Sequence, residues 1–253
     1  MHLTIEQQIR YERHVQLPEI GEAGQVKLLQ SRVLLVGAGG LGSPVALYLA
    51  AAGVGTLGIA DYDSVSLSNL QRQVIHSQVG KLKAPSVTDA VTRLTSDVAT
   101  IEYIGRLDPS TVDRYFDAGW HVVIDAVDNL ATRYLINEAC TKRKIPWIHG
   151  AVSRYEGQAT TFNSKAGGPC YRCLYPDLDV LFRDSRSTKG VLGVVPGMIG
   201  MIQATEALKV ILGIGETLEG SMLNYNALYM SFNRMPLRER DLSCPVCSMG
   251  YTQ

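Results

Sequence analysis

The chain has 253 residues, 46% of them apolar, enough for a proper core in one large domain or two small ones. Lys plus Arg and Asp plus Glu balance at 24 each, so no global charge advertises nucleic acid or an anionic membrane, and an anion must be held by a local cluster. The opening MHLTIEQQIRYERH lacks the apolar core of a signal peptide, and the expected location is cytoplasmic.

Residues 4–30 read as a helical arm that Thr4 can cap, broken near Pro18 and Gly21, with Arg10 and Arg13 projecting from it. The all-apolar run 32–36 predicts a buried parallel strand. A glycine-rich turn, GAGGLGS, follows it and leads into a helix over 44–52. A second strand is expected over 56–60, ending at Asp61-Tyr62-Asp63, and then a polar loop, SLSNLQRQ. Further on, helices are expected over 83–96, 110–116 and 130–142, and strands over 100–104, 122–125 and 146–149. Strand–helix alternation over about 120 residues argues for a doubly wound, mostly parallel α/β sheet. The pattern then changes. Residues 158–163 alternate like an exposed antiparallel strand, so the sheet is expected to be extended by antiparallel strands. The charged stretch 177–190 has no apolar period and predicts a mobile loop. The apolar segment 191–212 is long enough to suggest a membrane span, but Glu206 and Lys209 lie within it, so a buried helix is the better reading. A last strand is expected over 223–229. No internal repeat is evident.

The glycine turn joins a strand to a helix, where glycines let backbone approach phosphates and the helix N-terminus offers unpaired N–H groups. Gly37, Gly39, Gly40 and Gly42 are the candidate contacts. Asp61, at the end of the next strand, can take ribose hydroxyls, with Asp63 beside it. These features alone fit NAD or FAD as well as ATP. Asn69, Arg72, Gln73 and Lys83 cluster after the nucleotide-binding unit and favour a triphosphate, whose charge needs more than a helix terminus. Asp128 and Asn129 follow a strand end, where ligands sit in such sheets. Asp128 can hold Mg²⁺ or cap the following helix.

Four of the five cysteines form two Cys-x-x-Cys pairs, Cys170/Cys173 and Cys244/Cys247. Each pair supplies two sulfurs from one tight turn, so together they predict a closed, structural Cys₄ zinc site in a reducing compartment. Redox-active pairs are the competing reading; neither pair is expected to open a helix after a strand.

The ordered strings GAGGLGS, ADYDSVSLSNLQRQ, VIDAVDNLATR, PCYRCLYP and CPVC resemble the ThiF/MoeB (HesA) family of sulfur-carrier adenylyltransferases, relatives of ubiquitin-activating enzymes. The resemblance runs from about Tyr11 to Cys247. It implies a Rossmann-like adenylation domain spanning 1–253, with a helical arm (1–30), a nucleotide-binding core (31–150) and a carrier-binding and zinc part (151–253). It also implies a homodimer that uses ATP and Mg²⁺ to adenylate the C-terminal glycine of a ubiquitin-like sulfur carrier of ThiS/MoaD type, with a separate sulfur donor. By the same resemblance Gly39 and Gly42 border the phosphates, Asp61 binds ribose, and Asn69, Arg72 and Lys83 contact phosphate. Asp128 then ligates Mg²⁺, Arg13 reaches the partner's ATP site, and the four cysteines ligate zinc. The resemblance breaks at one place: relatives carry a loop cysteine where this chain reads FRDSRSTKG from Phe182, without one. The expectation is a reaction that stops at the acyl-adenylate, since a serine without a base is hardly ionised. An adenylating ligase for a peptide or small carboxylate, an NAD-dependent oxidoreductase and a non-catalytic scaffold are the competing functions.

Overall fold

In a computed structural model, residues 2–176 and 190–248 are described. An eight-stranded sheet has the order β3-β2-β1-β4-β5-β6-β7-β8. β1 (Arg32–Val36), β2 (Thr56–Ala60), β3 (Ala99–Tyr103), β4 (Val122–Asp125) and β5 (Trp147–Ser153) are parallel. β6 (Glu156–Phe162), β7 (Ser221–Asn226) and β8 (Ser231–Pro236) extend the sheet antiparallel to one another, with β6 antiparallel to β5. The expected α/β class with antiparallel extension is thus observed.

The apolar runs of β1 and β4 are buried because both faces of the sheet are covered. Val33 and Leu35 face a core built with α4 (Gly42–Ala51), α5 (Lys83–Leu94) and α9 (Val194–Leu212). Leu34 and Val36 point the other way, into a core with α6 (Val112–Phe116), α7 (Leu130–Arg143) and α8 (Tyr171–Leu174). The N-terminal arm is three short pieces, α1 (Ile5–Arg10), α2 (Glu12–Val15) and α3 (Gly21–Leu29). Thr4 caps the first through a capping box with Gln7.

Two expectations are corrected. Residues 158–163 form an antiparallel strand but not an exposed one. β6 lies inside the sheet, its Thr160 and Thr161 are buried, and their hydroxyls donate to Ser221 O (2.6 Å) and Glu206 Oε2 (2.7 Å). The strand expected over 223–229 begins earlier and ends at Asn226 as β7, and a further strand, β8, follows after a turn near Met230 (φ 48°). Cys170 stands at the N-cap of the one-turn helix α8 without a side-chain capping bond, and α8 follows a 3₁₀ turn over Ser164–Ala166 rather than a strand. The loop expected over 177–190 falls, except for Gly190, outside the described residues.

α9 is long and apolar enough to cross a membrane by length and composition, but half of that stretch is buried, and it packs on α4, β5 and β6. Its Pro196 falls in the first turn, where a missing N–H breaks no helical bond. Glu206, buried on this helix, accepts from Leu218 N (2.6 Å) and pairs with Lys209.

Two histidines are enclosed by this frame. His149 on β5 is fully buried, and burial together with the nearby Arg133 charge lowers its pKa below the ordinary 6.5. Burial lowers that of His76 as well. Each takes up a proton less readily when folded than in the unfolded chain, which does so near pH 6.5. The folded pKa is the lower one, so stability is lost as pH falls from about 6.5. We expect thermal melts between about pH 7 and pH 5 to show a falling Tm, and His76→Gln and His149→Gln each to reduce that slope. A slope unchanged in both variants would contradict this.

Candidate active site and metal centre

The strand order reverses between β1 and β4, and a cleft of about 680 Å³ opens at the carboxyl ends of those strands. This is the switch point at which open α/β sheets bind ligands. The glycine turn forms one wall. Gly37 has φ 99°, and a Cβ there would meet Ala126 O at 2.5 Å, so only glycine fits between the ends of β1 and β4. A Cβ on Gly42 would lie 2.1 Å from Gly37 O. Gly42 begins α4 and closes the turn rather than lining the cleft, unlike Gly37, Gly39 and Gly40.

Two side chains clamp the Ala38 peptide. Its N–H donates to Asp61 Oδ2 (2.7 Å), and its carbonyl lies 2.8 Å from His76 Nε2, which must carry the proton to donate. His76 Nδ1 then accepts from Ser86 Oγ at 2.9 Å, tying the turn to α5, one turn from Lys83. Asp61 lines the cleft and also accepts from Asp63 N (2.8 Å); burial pushes its carboxyl above the ordinary range, against the pull of Ala38 N and Lys83.

The expected phosphate-binding groups converge from two directions. Lys83 is nearly buried at the start of α5 and donates to Asp63 Oδ2 at 2.9 Å. Arg72 lines the cleft with Nη1 on Ser68 O (3.0 Å). Gln73 is buried, and among the described residues its Oε1 has no hydrogen-bond partner. Asn69 is not on the cleft wall; its Oδ1 accepts from Ser66 N (3.1 Å) and closes a turn. On the far side, Asn129 caps α7 by accepting from Thr132 N (2.9 Å). Asp128 is therefore relieved of the capping role considered for it. It is exposed on the cleft wall, with no ion-pair or hydrogen-bond partner among the described residues. Arg13 sits exposed on α2, outside the cleft wall.

Sequence reading missed His76, Asp125 and Arg133. The fully buried Asp125 carboxylate at the end of β4 accepts from Arg133 Nε (2.7 Å) and His149 Nδ1 (2.8 Å). Burial works against its ionisation, but the Arg133 guanidinium and His149 hold its pKa below the usual range. The available signal was the arginine four residues after Asn129, on the helix face that returns to the strand end.

The four cysteines, two at α8 and two in the segment after β8, come together. Cys170 Sγ lies 3.9 Å from Cys173 Sγ and 3.7 Å from Cys244 Sγ, and Cys173 Sγ is 3.4 Å from Cys247 Sγ. All four sulfurs fall within 4.8 Å of one another, and none is in a disulfide. A tetrahedral ion with bonds of about 2.3 Å needs sulfurs roughly 3.8 Å apart, so this set can hold a metal ion such as zinc.

The ThiF family model matches residues 11–246. A SAMP-activating enzyme E1 of Haloferax volcanii is 49% identical over 244 residues, covering 95% of this chain and 89% of that protein. The adenylyltransferase and sulfurtransferase MOCS3-1 of Zea mays is 48% identical over 94% of this chain but only 51% of its own length. The chain thus spans about half of the MOCS3 relatives it matches. Among solved structures, E. coli MccB with ATP has a TM-score of 0.80 at 21% identity, over 94% of this chain and 73% of that one. SeMet PaaA has a TM-score of 0.81 at 20% identity, over 93% and 84%. At that identity the likeness is one of fold. The match to the family model across nearly the whole chain, on a sheet with its cleft at the β1/β4 reversal, means that this chain belongs to the ThiF family.

Proposed function

We propose that the chain is an adenylyltransferase that uses ATP to activate the C-terminal glycine carboxylate of a ubiquitin-like sulfur carrier ending in Gly-Gly, releasing pyrophosphate. The observation that carries this reading is the cleft itself: Asp61, Arg72, Lys83 and Asp128 surround one glycine turn. The named activities of relatives, a SAMP-activating E1 and MOCS3 adenylyltransferases, agree with it.

The attacking group is a carboxylate, ionised at neutral pH, so the site needs no general base. Its work is positioning and charge neutralisation. Asp61 is placed for ribose hydroxyls: each oxygen already takes one N–H and keeps a further lone pair. Arg72 can swing from its carbonyl contact to phosphate oxygens. Lys83 is pre-oriented by Asp63 and exchanges that partner for phosphate, leaving Asp63 as a neighbour that holds the ammonium between turnovers. Gly39 and Gly40 offer backbone, and Gln73 a side-chain amide, to the same groups. Asn69 and Asn129 can contribute through their amide nitrogens, since their oxygens are occupied locally.

Asp128 is the residue that would hold Mg²⁺, and its carboxylate, without a competing cation, fits that use. When bound, the ion neutralises phosphate charge. Arg13 completes the site of a second copy in a homodimer, for which the exposed Tyr48 and Met201 on α4 and α9 supply apolar contact surface. The division into a helical arm (1–30), a nucleotide-binding core (31–150) and a carrier-binding, zinc-holding part (151–253) follows this use. The carrier's globular part would dock on the exposed β7–β8 hairpin, since β6 is internal to the sheet. There Tyr229, Met230 and Phe232 offer an apolar surface beyond the cleft. A separate cytoplasmic protein would supply sulfur. The same cleft could adenylate a peptide or small carboxylate, and the loop without cysteine keeps that second reading in play.

ATP–pyrophosphate exchange with Mg²⁺ should depend on one member of a panel of Gly-Gly carriers. Exchange with none of them, despite ATP binding, would shift the assignment to the second reading. Asp128→Ala and Arg72→Ala should each lower exchange by about 10²–10³-fold with the fold intact. Near-normal turnover of Asp128→Ala would remove the metal assignment.

Protein purified without chelator should carry one zinc per chain, and chelation should lower Tm. Metal analysis that found none would refute the structural site.

No thiol-sensitive carrier adduct should form. Cys140 is fully buried and its thiol is pushed well above the ordinary value by burial, so it is a poor nucleophile. An adduct trapped on a gel and mapped to Cys140 would overturn this.

A further inference from the structure

Directly behind Asp128 lies a polar cluster that the proposed chemistry does not use. Asp125 and His149 are fully buried and Arg133 nearly so. The cluster takes both backbone polar groups of Val127, the residue before Asp128. Val127 N donates to Asp125 Oδ1 (3.1 Å), and Val127 O accepts from Arg133 Nη2 (2.8 Å). Arg133 Nε holds the other Asp125 oxygen at 2.7 Å, and Nη2 also reaches Gly150 O at 3.4 Å. Gln203 on α9 donates to Asp125 O (2.7 Å), fixing the strand end from a third side. A buried ion pair gives little stability over apolar residues of the same size. What this one supplies is direction: a planar guanidinium bridging a carboxylate and a carbonyl leaves the Val127–Asp128 backbone one arrangement.

The cluster also reaches the cysteines. Tyr171 lies between Cys170 and Cys173 on α8. Its ring centroid is 5.8 Å from the Arg133 guanidinium carbon and 5.3 Å from the His149 ring. Asn137 on α7 accepts from Tyr171 N (2.9 Å) and donates to Cys170 Sγ (3.7 Å). Direct contacts therefore run from the thiolates through Tyr171 and Arg133 to the peptide that carries Asp128.

We infer that Arg133 is a positioning residue for Asp128 and that Tyr171 braces it from the metal-centre helix, so that the Cys₄ centre supports the cleft and not only the tail. The inference rests on the reading of Asp128 as a metal-binding carboxylate. Outer partners of a ligand typically change metal affinity about 10–100-fold when altered. Lysine at 133 keeps the charge opposite Asp125 but lacks the second arm that holds Val127 O.

The test is Mn²⁺ binding, followed by electron paramagnetic resonance in the presence of a non-hydrolysable ATP analogue, with zinc content and Tm measured alongside. The variants are Asp128→Asn, Arg133→Lys and Tyr171→Leu. Asp128→Asn should weaken Mn²⁺ binding, and Arg133→Lys should weaken it about 10–100-fold. Tyr171→Leu should shift it the same way by less, with its zinc retained and its affinity for metal-free nucleotide unchanged. A purely structural role would lower Tm and leave Mn²⁺ binding alone. Normal Mn²⁺ binding in Arg133→Lys beside a weakened Asp128→Asn would overturn the positioning role and leave the adenylation reading standing. Normal binding in Asp128→Asn would remove the metal reading and this inference with it. Loss in Arg133→Lys but not in Tyr171→Leu would overturn the link to the metal centre. If Arg133→Lys does not fold, Tyr171→Leu decides: weakened Mn²⁺ binding with zinc retained supports the brace, and wild-type binding overturns it.

Discussion

A carboxylate at the end of a central strand, sealed from water, must be neutralised where it stands. Asp125 is that group, and Arg133, His149 and the Val127 amide are its answer. Meeting that demand brings three elements to one point: β4 supplies the acid, α7 the guanidinium and β5 the imidazole. The strand ends are thereby fixed relative to the helix that follows them. The cleft residues Asp128, Asn129 and Thr132 follow directly on this join. Removing the arginine alone would strand a buried charge, which typically costs about 3–5 kcal/mol. The join is thus strict although its net contribution to stability is small.

The near side of the cleft is built on the opposite logic. There the charges are only partly shielded and are held in reserve. Lys83 rests on Asp63, and Arg72 rests on a carbonyl. Neither contact is buried deeply enough on both sides to resist exchange: Asp63 is half exposed, so its pair with Lys83 is screened by water. A polyphosphate carries several charges and can outcompete one carboxylate. The chain is electrically neutral as a whole. On the proposed reading the attraction for a charged ligand is local and is switched on by exchange of these partners.

β1 and β4 were legible because they are buried on both faces and read as apolar runs, while the glycine turn announces itself by spacing. The antiparallel half was not. Thr160 and Thr161 look like solvent-facing residues in the sequence, but their hydroxyls are satisfied by Ser221 O and by Glu206, so the strand is interior. The exposed strand is β8, whose apolar and polar residues do not sort cleanly between faces. Within the site, residues that act through a turn or a strand end were readable: Gly37, Asp61, Arg72, Lys83 and Asp128 all reach one cleft. Asn69 and Asn129 show the limit of such reading, since a short polar side chain near a helix start satisfies the backbone first. His149 was missed because nothing local marks a residue whose partner is on another element, and Arg133 because its one local signal, its place one turn after the Asn129 cap, does not name the partner.

The cysteines close a contact between positions 74 apart, Cys170 to Cys244. The entropic cost of closing a loop rises only slowly with its length, about 0.6 kcal/mol per doubling, so a metal tie across so much chain is affordable for a small centre. Position matters more than reach. One pair sits on a single turn of helix whose central tyrosine packs against Arg133, and the other sits on the C-terminal segment after β8. A tie at that point loads the C-terminal segment onto the wall behind the cleft. A clamp that served the tail alone could have been placed on any exposed loop. By the proposed brace, a tie placed here would link both the segment after β8 and the Asp128 turn to the same four sulfurs.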